Sequence, residues 1–378
     1  MIKNLNIIAF DIPYPANYGG AIDVFYRLKA LHQEGVNIIL HCFQYWREPA
    51  EELNKYCIEV HYYKRDTSLW AQMHQLPYTV IGRMNKELLK NLQANNYPIL
   101  FEGLVSCGFL NHPSLKNRVK IFRECNIEHD YYNALGNATN TLWKKAYYKL
   151  EALKLKKFEQ VLQHAQHIIT LSHNDENYFK TQYPETKTHF IPCFHKHNDI
   201  SSTPTNKEEK PFVLYHGNLM LPENEKSASY LCTNVFAKLN CKCVIAGMNP
   251  SRKLKELASK YRNIQLIGNP SEQEINKLIH DAHITILVTF QATGMKLKLI
   301  NSIFSGKHII ANTAMLTGSG LESLCKHADD AETQIRFCNE LLHTDFTDAD
   351  IAMRKTVLYP DYFNQAQAQQ LINIINNK

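Results

Sequence analysis

The stretch DAHITILVTFQATGMKLKLINSIFSGKHIIANTA, residues 281–314, decides the fold. Residues 283–290 read as a buried strand, and a short loop closed by Gly294 follows. An amphipathic helical pattern then runs to Gly306, and residues 307–312 form a second buried strand. Strand, loop, helix and strand in this order make a βαβ unit. The loop and the first helical turn carry Lys296 and Lys298. A helix start offers unpaired N–H groups and the positive end of the helix dipole, so two lysines beside it suit a diphosphate. An ordinary crossover whose lysines only solvate a surface fits the same residues.

The alternation extends in both directions. Upstream, a strand at 212–215 leads into HGNLMLPENEK and a helix, and strands at 242–246 and 264–267 follow, each with its own helix. Further upstream, strands at 6–10, 36–43, 58–64, 98–102, 119–123 and 168–171 interleave with a helix at 21–33, a helical region around 82–93 and a long helical segment at about 130–165. Between the two sets, HKHNDISSTPTNKEEKP is polar and reads as a solvent-exposed linker; His195 and His197 lack a matching carboxylate or thiol for a metal. The expected architecture is α/β: two Rossmann-like, doubly wound domains facing a central cleft. Residues 1–196 form the first domain, 197–210 the linker and 211–359 the second. A final helix within 360–378 is expected to pack back on the first domain.

Composition narrows the function. A chain of 378 residues suggests two domains, and 44% hydrophobic against 21% charged residues rules out global disorder. The net charge of +6 favours phosphate-bearing ligands or an anionic membrane surface and is too small to imply nucleic acid, for which no motif is present. Ten cysteines are scattered singly apart from Cys241 and Cys243, a C-x-C without a second pair. They read as idle thiols in a reducing cytosol, with no metal site. No apolar run reaches the length of a signal or transmembrane helix. Residues 140–160 hold six lysines against two glutamates, interleaved with Leu and Tyr, so a basic amphipathic face could rest on anionic lipid or simply be solvated.

Neither domain carries G-x-G-x-x-G after its first strand, which lowers the odds of a dinucleotide-dependent oxidoreductase; Walker A, H-E-x-x-H and G-x-S-x-G patterns are also absent. Gly19 and Gly20 stand at the start of the first crossover helix, where glycine lets backbone approach a ligand or simply completes a tight turn. Glu102 and the cluster from Arg123 to His129 fall at carboxyl ends of strands, where doubly wound sheets bind ligands.

Six segments carry a resemblance. PYPANYGGAIDVFYRLKAL, FEGL, RECNIEHDYYNAL, LYHGNLMLPEN, VIAGMNPS and TGMKLKLINSIFSGKHIIAN together, in order and across most of the chain, resemble the family 4 glycosyltransferases of the GT-B fold. The likeness is strongest to bacterial surface-polysaccharide enzymes often labelled mannosyltransferases. The resemblance implies retaining, metal-independent transfer from a nucleotide sugar to a glycan or lipid-linked acceptor, at the cytoplasmic face of a membrane and without a cofactor. It further implies that Gly217, Asn218 and the loop Thr293, Gly294, Met295, Lys296 and Lys298 hold the donor diphosphate, with either lysine opposing its charge. Glu223 and Asn224 would contact the donor or shape its loop. Gly19, Gly20, Glu102, Arg123 and Asn126 would serve the acceptor or phosphate side, with Glu128 and His129 lining the sugar side as catalytic groups.

Two departures accompany this pattern. The family's paired glutamates, eight positions apart, fall at Thr293 and Asn301, and neither ionises. A histidine of the RECNIEH segment is replaced by Cys125, a poor hydrogen-bond partner for a sugar hydroxyl. These changes keep in view a non-catalytic relative that binds glycan or a partner enzyme; the other alternative is another GT-B enzyme, a sugar-nucleotide 2-epimerase.

Overall fold

A computed structural model describes residues 3–139, 141–206, 210–290 and 297–377. Among these the chain divides into two compact units: one runs up to Lys196 and resumes at Pro360, the other takes His197 to Tyr359.

In the first unit, β1 (Asn4–Ala9), β2 (Asn37–Gln44), β3 (Glu59–Lys64), β4 (Ile99–Glu102), β5 (Lys120–Arg123), β6 (His167–Thr170) and β7 (Lys187–Phe190) form one parallel sheet in the order β3-β2-β1-β4-β5-β6-β7. Its central strands are almost wholly buried because helices cover both faces. On one face the Gly19–Gln33 helix packs with the chain's last helix, Asn364–Asn376, whose Leu371, Ile372 and Ile375 share a core with Leu5, Ile7, Leu28 and Leu31. On the other face Phe101 and Phe122 pack with Leu155, Leu162 and Phe179.

The second unit repeats the plan. β8 (Phe212–His216), β9 (Lys242–Gly247), β10 (Ile264–Gly268), β11 (Ile284–Leu287), β12 (His308–Ala311) and β13 (Lys326–His327) form a parallel sheet in the order β10-β9-β8-β11-β12-β13. The deciding stretch supplies β11, the Leu297–Ser305 helix and β12, with Ile284 opposite His308 and Leu287 opposite Ala311. That helix turns Leu299, Ile300, Ile303 and Phe304 inward, so the amphipathic pattern buries the face it advertised. In both sheets the winding reverses between the first strand and the fourth, at β1/β4 and at β8/β11. Such reversals open a crevice at the strands' carboxyl ends, the usual ligand position.

Three expectations needed correction. The helical segment at 130–165 is two helices, Glu128–Ala138 and Leu142–Phe158, followed by a 3₁₀ turn, Glu159–His164. The intervening residues 139–141, TNT, are poor helix formers, and Thr139 is already extended. The two helices pack closely: a Cβ on Gly136 would lie 3.4 Å from that of Tyr148. Strands β7 and β13 were not anticipated, because each is a short edge strand without an apolar run. Finally, the polar stretch from His195 is not a free linker at its start. His195 is fully buried, its Nε2 is 2.7 Å from the Tyr362 carbonyl, and its backbone exchanges two hydrogen bonds with the Asn364 side chain. Ser202 is also buried, accepting from Arg354 at 2.8 Å and donating to the Gly306 carbonyl at 2.6 Å. Residues distant in sequence cover this polar segment, which its composition does not reveal.

Candidate functional site

In the second unit the reversal at β8/β11 gathers most of the expected donor residues. After His216 the backbone crosses closely over the end of β9: a Cβ on Gly247 would stand 1.9 Å from the Gly217 carbonyl oxygen, so only glycine fits there. The Gly217 amide donates to the Ala246 carbonyl at 3.1 Å. Asn218 turns the chain by accepting from the Met220 amide at 3.1 Å, and the Pro222–Asn234 helix begins with proline in its first turn.

Asn224, buried in that first turn, ties the parts together. Its Nδ2 donates to the Asn218 carbonyl at 3.0 Å, and its Oδ1 accepts from Lys298 Nζ at 2.9 Å. The Tyr215 hydroxyl donates to the Asn224 carbonyl at 3.0 Å, and the Lys298 ammonium lies 5.6 Å from the Tyr215 ring centroid. Lys298 itself is half-buried in the first turn of the Leu297–Ser305 helix. Beneath it, His216 Nε2 is 2.8 Å from Ser302 Oγ, which donates to the Lys298 carbonyl at 2.9 Å. With the hydroxyl proton committed to that carbonyl, His216 must donate from Nε2. An ammonium and the starts of two helices thus converge at one strand end, which suits an anion.

The neighbouring residues are less uniform. Glu223 is exposed, and Asn301 is half-buried with its Oδ1 3.0 Å from His197 Nε2. Thr293, Gly294, Met295 and Lys296 lie outside the described residues. Sequence reading missed His216, Ser302, Tyr215 and Gly247; the signals available were a histidine ending a strand, a serine four residues after Lys298, and a glycine closing β9.

The first unit uses its strand ends differently. Gly20 makes room for an aromatic ring, since a Cβ there would sit 2.5 Å from Phe10 Cζ; Gly19 is half-buried beside it. Glu102 and Arg123, expected toward phosphate or acceptor, have no exposed side-chain surface. Asp23 accepts from Arg123 at 2.9 and 3.1 Å, from Arg27 at 2.8 Å and from the Phe194 amide at 2.7 Å, while Arg27 also pairs with Glu102. Burial alone would raise the Asp23 pKa, but the two guanidiniums outweigh it and hold the group at about 2. Arg123 further donates to the Ile191 and Pro192 carbonyls, so this network clamps β5 to the first helix and to the irregular segment that follows β7, residues 191–194.

His129 is also enclosed. Its Nδ1 is 3.2 Å from Glu159, which accepts from Tyr178 at 2.7 Å and Tyr183 at 3.1 Å; the hydrogen bond to Glu159 raises the imidazole pKa. Glu128 opens the same helix and is nine-tenths buried, yet its carboxylate makes no hydrogen bond among the described residues. Burial pushes it up to about 7, with Arg83 pulling the other way. Asn126 is half-buried nearby in sequence. Beyond the ends of β1 and β2 lies a cavity of about 690 Å³ lined by Asp11, Tyr14, Asn17, Tyr18, Trp46 and Arg47, none of which the sequence reading singled out. Their signal was aromatic residues set among the turn residues of DIPYPANYGG and QYWRE. Among the described residues no group of three or more His, Cys, Asp or Glu side chains is placed to hold a metal ion.

No protein-family model matches the chain. It is 26% identical over 333 residues, 83% of this chain and 84% of the relative, to an uncharacterized 44.6 kDa protein in the cps region of Klebsiella pneumoniae. Among solved structures it is similar to Anabaena HepE in complex with UDP, with a TM-score of 0.67 and 11% identity over all of both chains. It is similar to TarM at a TM-score of 0.64 and 12% identity, over 100% of this chain and 99% of the other. A glycosyltransferase from Rickettsia africae gives 0.58 and 14% over the whole of both. These likenesses establish the GT-B fold, with two Rossmann-like domains.

Proposed function

We propose that the chain is a retaining, metal-independent glycosyltransferase of the family 4 type. It moves a hexose, mannose being the first to test, from a nucleotide-sugar donor to a surface glycan or lipid-linked acceptor at the cytoplasmic face of a membrane. The observation that carries this reading is the Lys298 ammonium, held by Asn224 at 2.9 Å at a topological switch point of the second sheet. As the glycosidic bond breaks, negative charge grows on the leaving phosphate. A preorganised cation and helix-start N–H groups stabilise that charge more than the ground state. Gly217, Asn218, Glu223 and Asn301 complete the donor side in this reading, with Thr293, Gly294, Met295 and Lys296 as its loop. Glu128, poised near neutrality, is the proton-exchanging group of the sugar side in this reading, and His129, held by Glu159, lines that side with it. The HepE complex with UDP and the relative from a cps region support a nucleotide donor and a surface-glycan product.

A thermal-shift panel of UDP, GDP, ADP and their sugars tests the reading, because a ligand of the folded state alone raises its melting temperature. One nucleotide series is expected to stabilise the chain, by about 2.7 kcal/mol at a hundredfold excess over Kd. No shift with any of them would overturn donor binding and favour the non-catalytic reading. That alternative draws on Asn301, which stands where an acid was expected and bonds to His197.

A further inference from the structure

All three tryptophans of the chain, Trp46, Trp70 and Trp143, lie in the first unit, and they are 80%, 74% and 69% exposed. Tryptophan is normally among the more buried residues, and three exposed on one unit demand a partner. Two of them sit on helices with further outward apolar side chains. In the short Leu69–Met73 helix, Leu69 is 76% and Met73 87% exposed. In the Leu142–Phe158 helix, Leu142, Leu150 and Leu153 are exposed along with Trp143. Positions 142, 146, 150 and 153 follow helical spacing and form one outward stripe, while Ala152 and Leu155 on the opposite side join the core. The helix is therefore apolar on two faces, and the fold covers only one.

Charge identifies what covers the other. Lys149, Lys156 and Lys157 are exposed around the stripe, Lys144 is exposed elsewhere on the helix and Lys145 is half-exposed. The helix's only acid, Glu151, is buried, bound by Lys154 at 2.9 Å and by the Tyr78 amide at 2.8 Å. That last bond fastens the chain just beyond the Leu69–Met73 helix to the lysine-rich helix. The chain just beyond the short helix and the lysine-rich helix also border one cavity of about 460 Å³, lined by His74, Leu76, Pro77, Lys154, Lys157 and Phe158. Arg65 continues the surface toward Trp46: its guanidinium lies 4.6 Å from the Tyr45 ring and 5.0 Å from the Tyr78 ring, and Tyr45 packs on Trp46 at 4.3 Å. Tryptophan and leucine rimmed by lysine, with the long helix's one acid withdrawn, is the composition of an element that lies in the headgroup layer of an anionic bilayer. A protein partner of the same area would leave several lysines needing acidic matches, whereas a lipid surface meets them all at once.

We propose that the first unit docks on an anionic lipid bilayer through the outward faces of the Leu69–Met73 and Leu142–Phe158 helices. The interaction is reversible and peripheral, since among the described residues no helix is long and apolar enough to cross a membrane. It goes beyond the transfer reading and needs no nucleotide, so failure of either test leaves the other standing.

The experiment is co-sedimentation of the full chain with vesicles of phosphatidylcholine alone or with 30% phosphatidylglycerol, with tryptophan emission recorded alongside. Trp70 and Trp143 lie on the proposed surface, so binding to the anionic vesicles is expected to shift emission to the blue and to allow quenching by brominated acyl chains. The Lys149→Glu and Lys156→Glu variants are each expected to weaken partitioning about fivefold. Leu150→Glu combined with Leu153→Glu is expected to reduce it more than tenfold with an unchanged circular dichroism spectrum. No binding to anionic vesicles would overturn the proposal, as would equal binding to phosphatidylcholine alone or binding that survives both sets of substitutions. A concentration-dependent dimer that the paired leucine variant abolishes would overturn it too, in favour of a second copy of the chain.

Discussion

At the β1/β4 reversal of the first unit, Asp23, Arg27, Glu102 and Arg123 neutralise one another out of contact with solvent. At the corresponding β8/β11 reversal of the second unit, Lys298 is half-buried and its described hydrogen bond goes to the neutral amide of Asn224. The topology is the same and the electrostatic investment is opposite. A closed ionic cluster out of reach of solvent gains little from a ligand, whereas a half-buried ammonium is still accessible to an incoming anion. Strand-end position therefore nominates residues, and the company each charge keeps decides which of them can serve a ligand.

The contrast breaks most sharply at Arg123. Arg123→Ala leaves the buried Asp23 carboxylate short of a partner and is expected to cost about 3–5 kcal/mol, read as a lower urea midpoint for the full chain. Because the folded-state pKa of Asp23 is depressed to about 2, the network's contribution is full above about pH 4 and is lost as pH falls toward 2. The variant should lack that acid-side loss. A midpoint unchanged from the parent would mean the cluster is not what holds these strand ends.

Lys298→Ala is the counterpart in the other unit. It is expected to lower kcat about 10²–10³-fold with the nucleotide sugar found by the thermal-shift panel, while the unliganded melting temperature moves little. Unchanged turnover would remove Lys298 from the phosphate site. Glu128 sharpens the comparison within the first unit, as the acid left out of the ionic clusters. Its folded pKa is raised to about 7, so the folded state holds this proton more tightly than the unfolded chain, and stability falls as pH rises from about 4 to 7. Glu128→Gln is expected to flatten that slope in denaturation curves and, if the assigned proton-exchanging role holds, to remove the limb near pH 7 from the kcat/KM profile. The smallest effect is expected at Asn301. Asn301→Glu restores an ionisable acceptor and should tighten nucleotide binding by about tenfold, close to 1.4 kcal/mol, in calorimetric titration; weaker binding would detach this position from the donor.

The strand–helix alternation made the fold readable, because apolar runs and amphipathic helices report directly on burial. The described residues within 281–314 fold as their pattern indicated, with β11 and β12 paired and the Leu297–Ser305 helix between them in sequence. Polar detail was less legible. Arg123 and Glu102 looked like site residues from their place in sequence, but their partners Asp23 and Arg27 come from a helix a hundred residues earlier in the case of Arg123. His195 looked solvated, and the residues that bury it lie 167 and 169 positions away. Such enclosure is a property of the assembled chain, invisible to local composition. Asn224 was named from the motif, yet its role in gripping both Asn218 and Lys298 emerged only with the geometry.

The return of the last helix to the first unit bears on how the chain is made. The Asn364–Asn376 helix supplies Leu371, Ile372 and Ile375 to the core beneath β1, each worth about 1.5–3 kcal/mol when fully buried. Together these rival the whole net stability of a typical domain. A nascent chain emerging from the ribosome can therefore finish its second unit before its first, since β1 and its neighbours must wait for residues 364–376 to be translated. Domains ordinarily mature in the order of synthesis; here a premature stop before residue 364 would strand the half of the protein that had been made first.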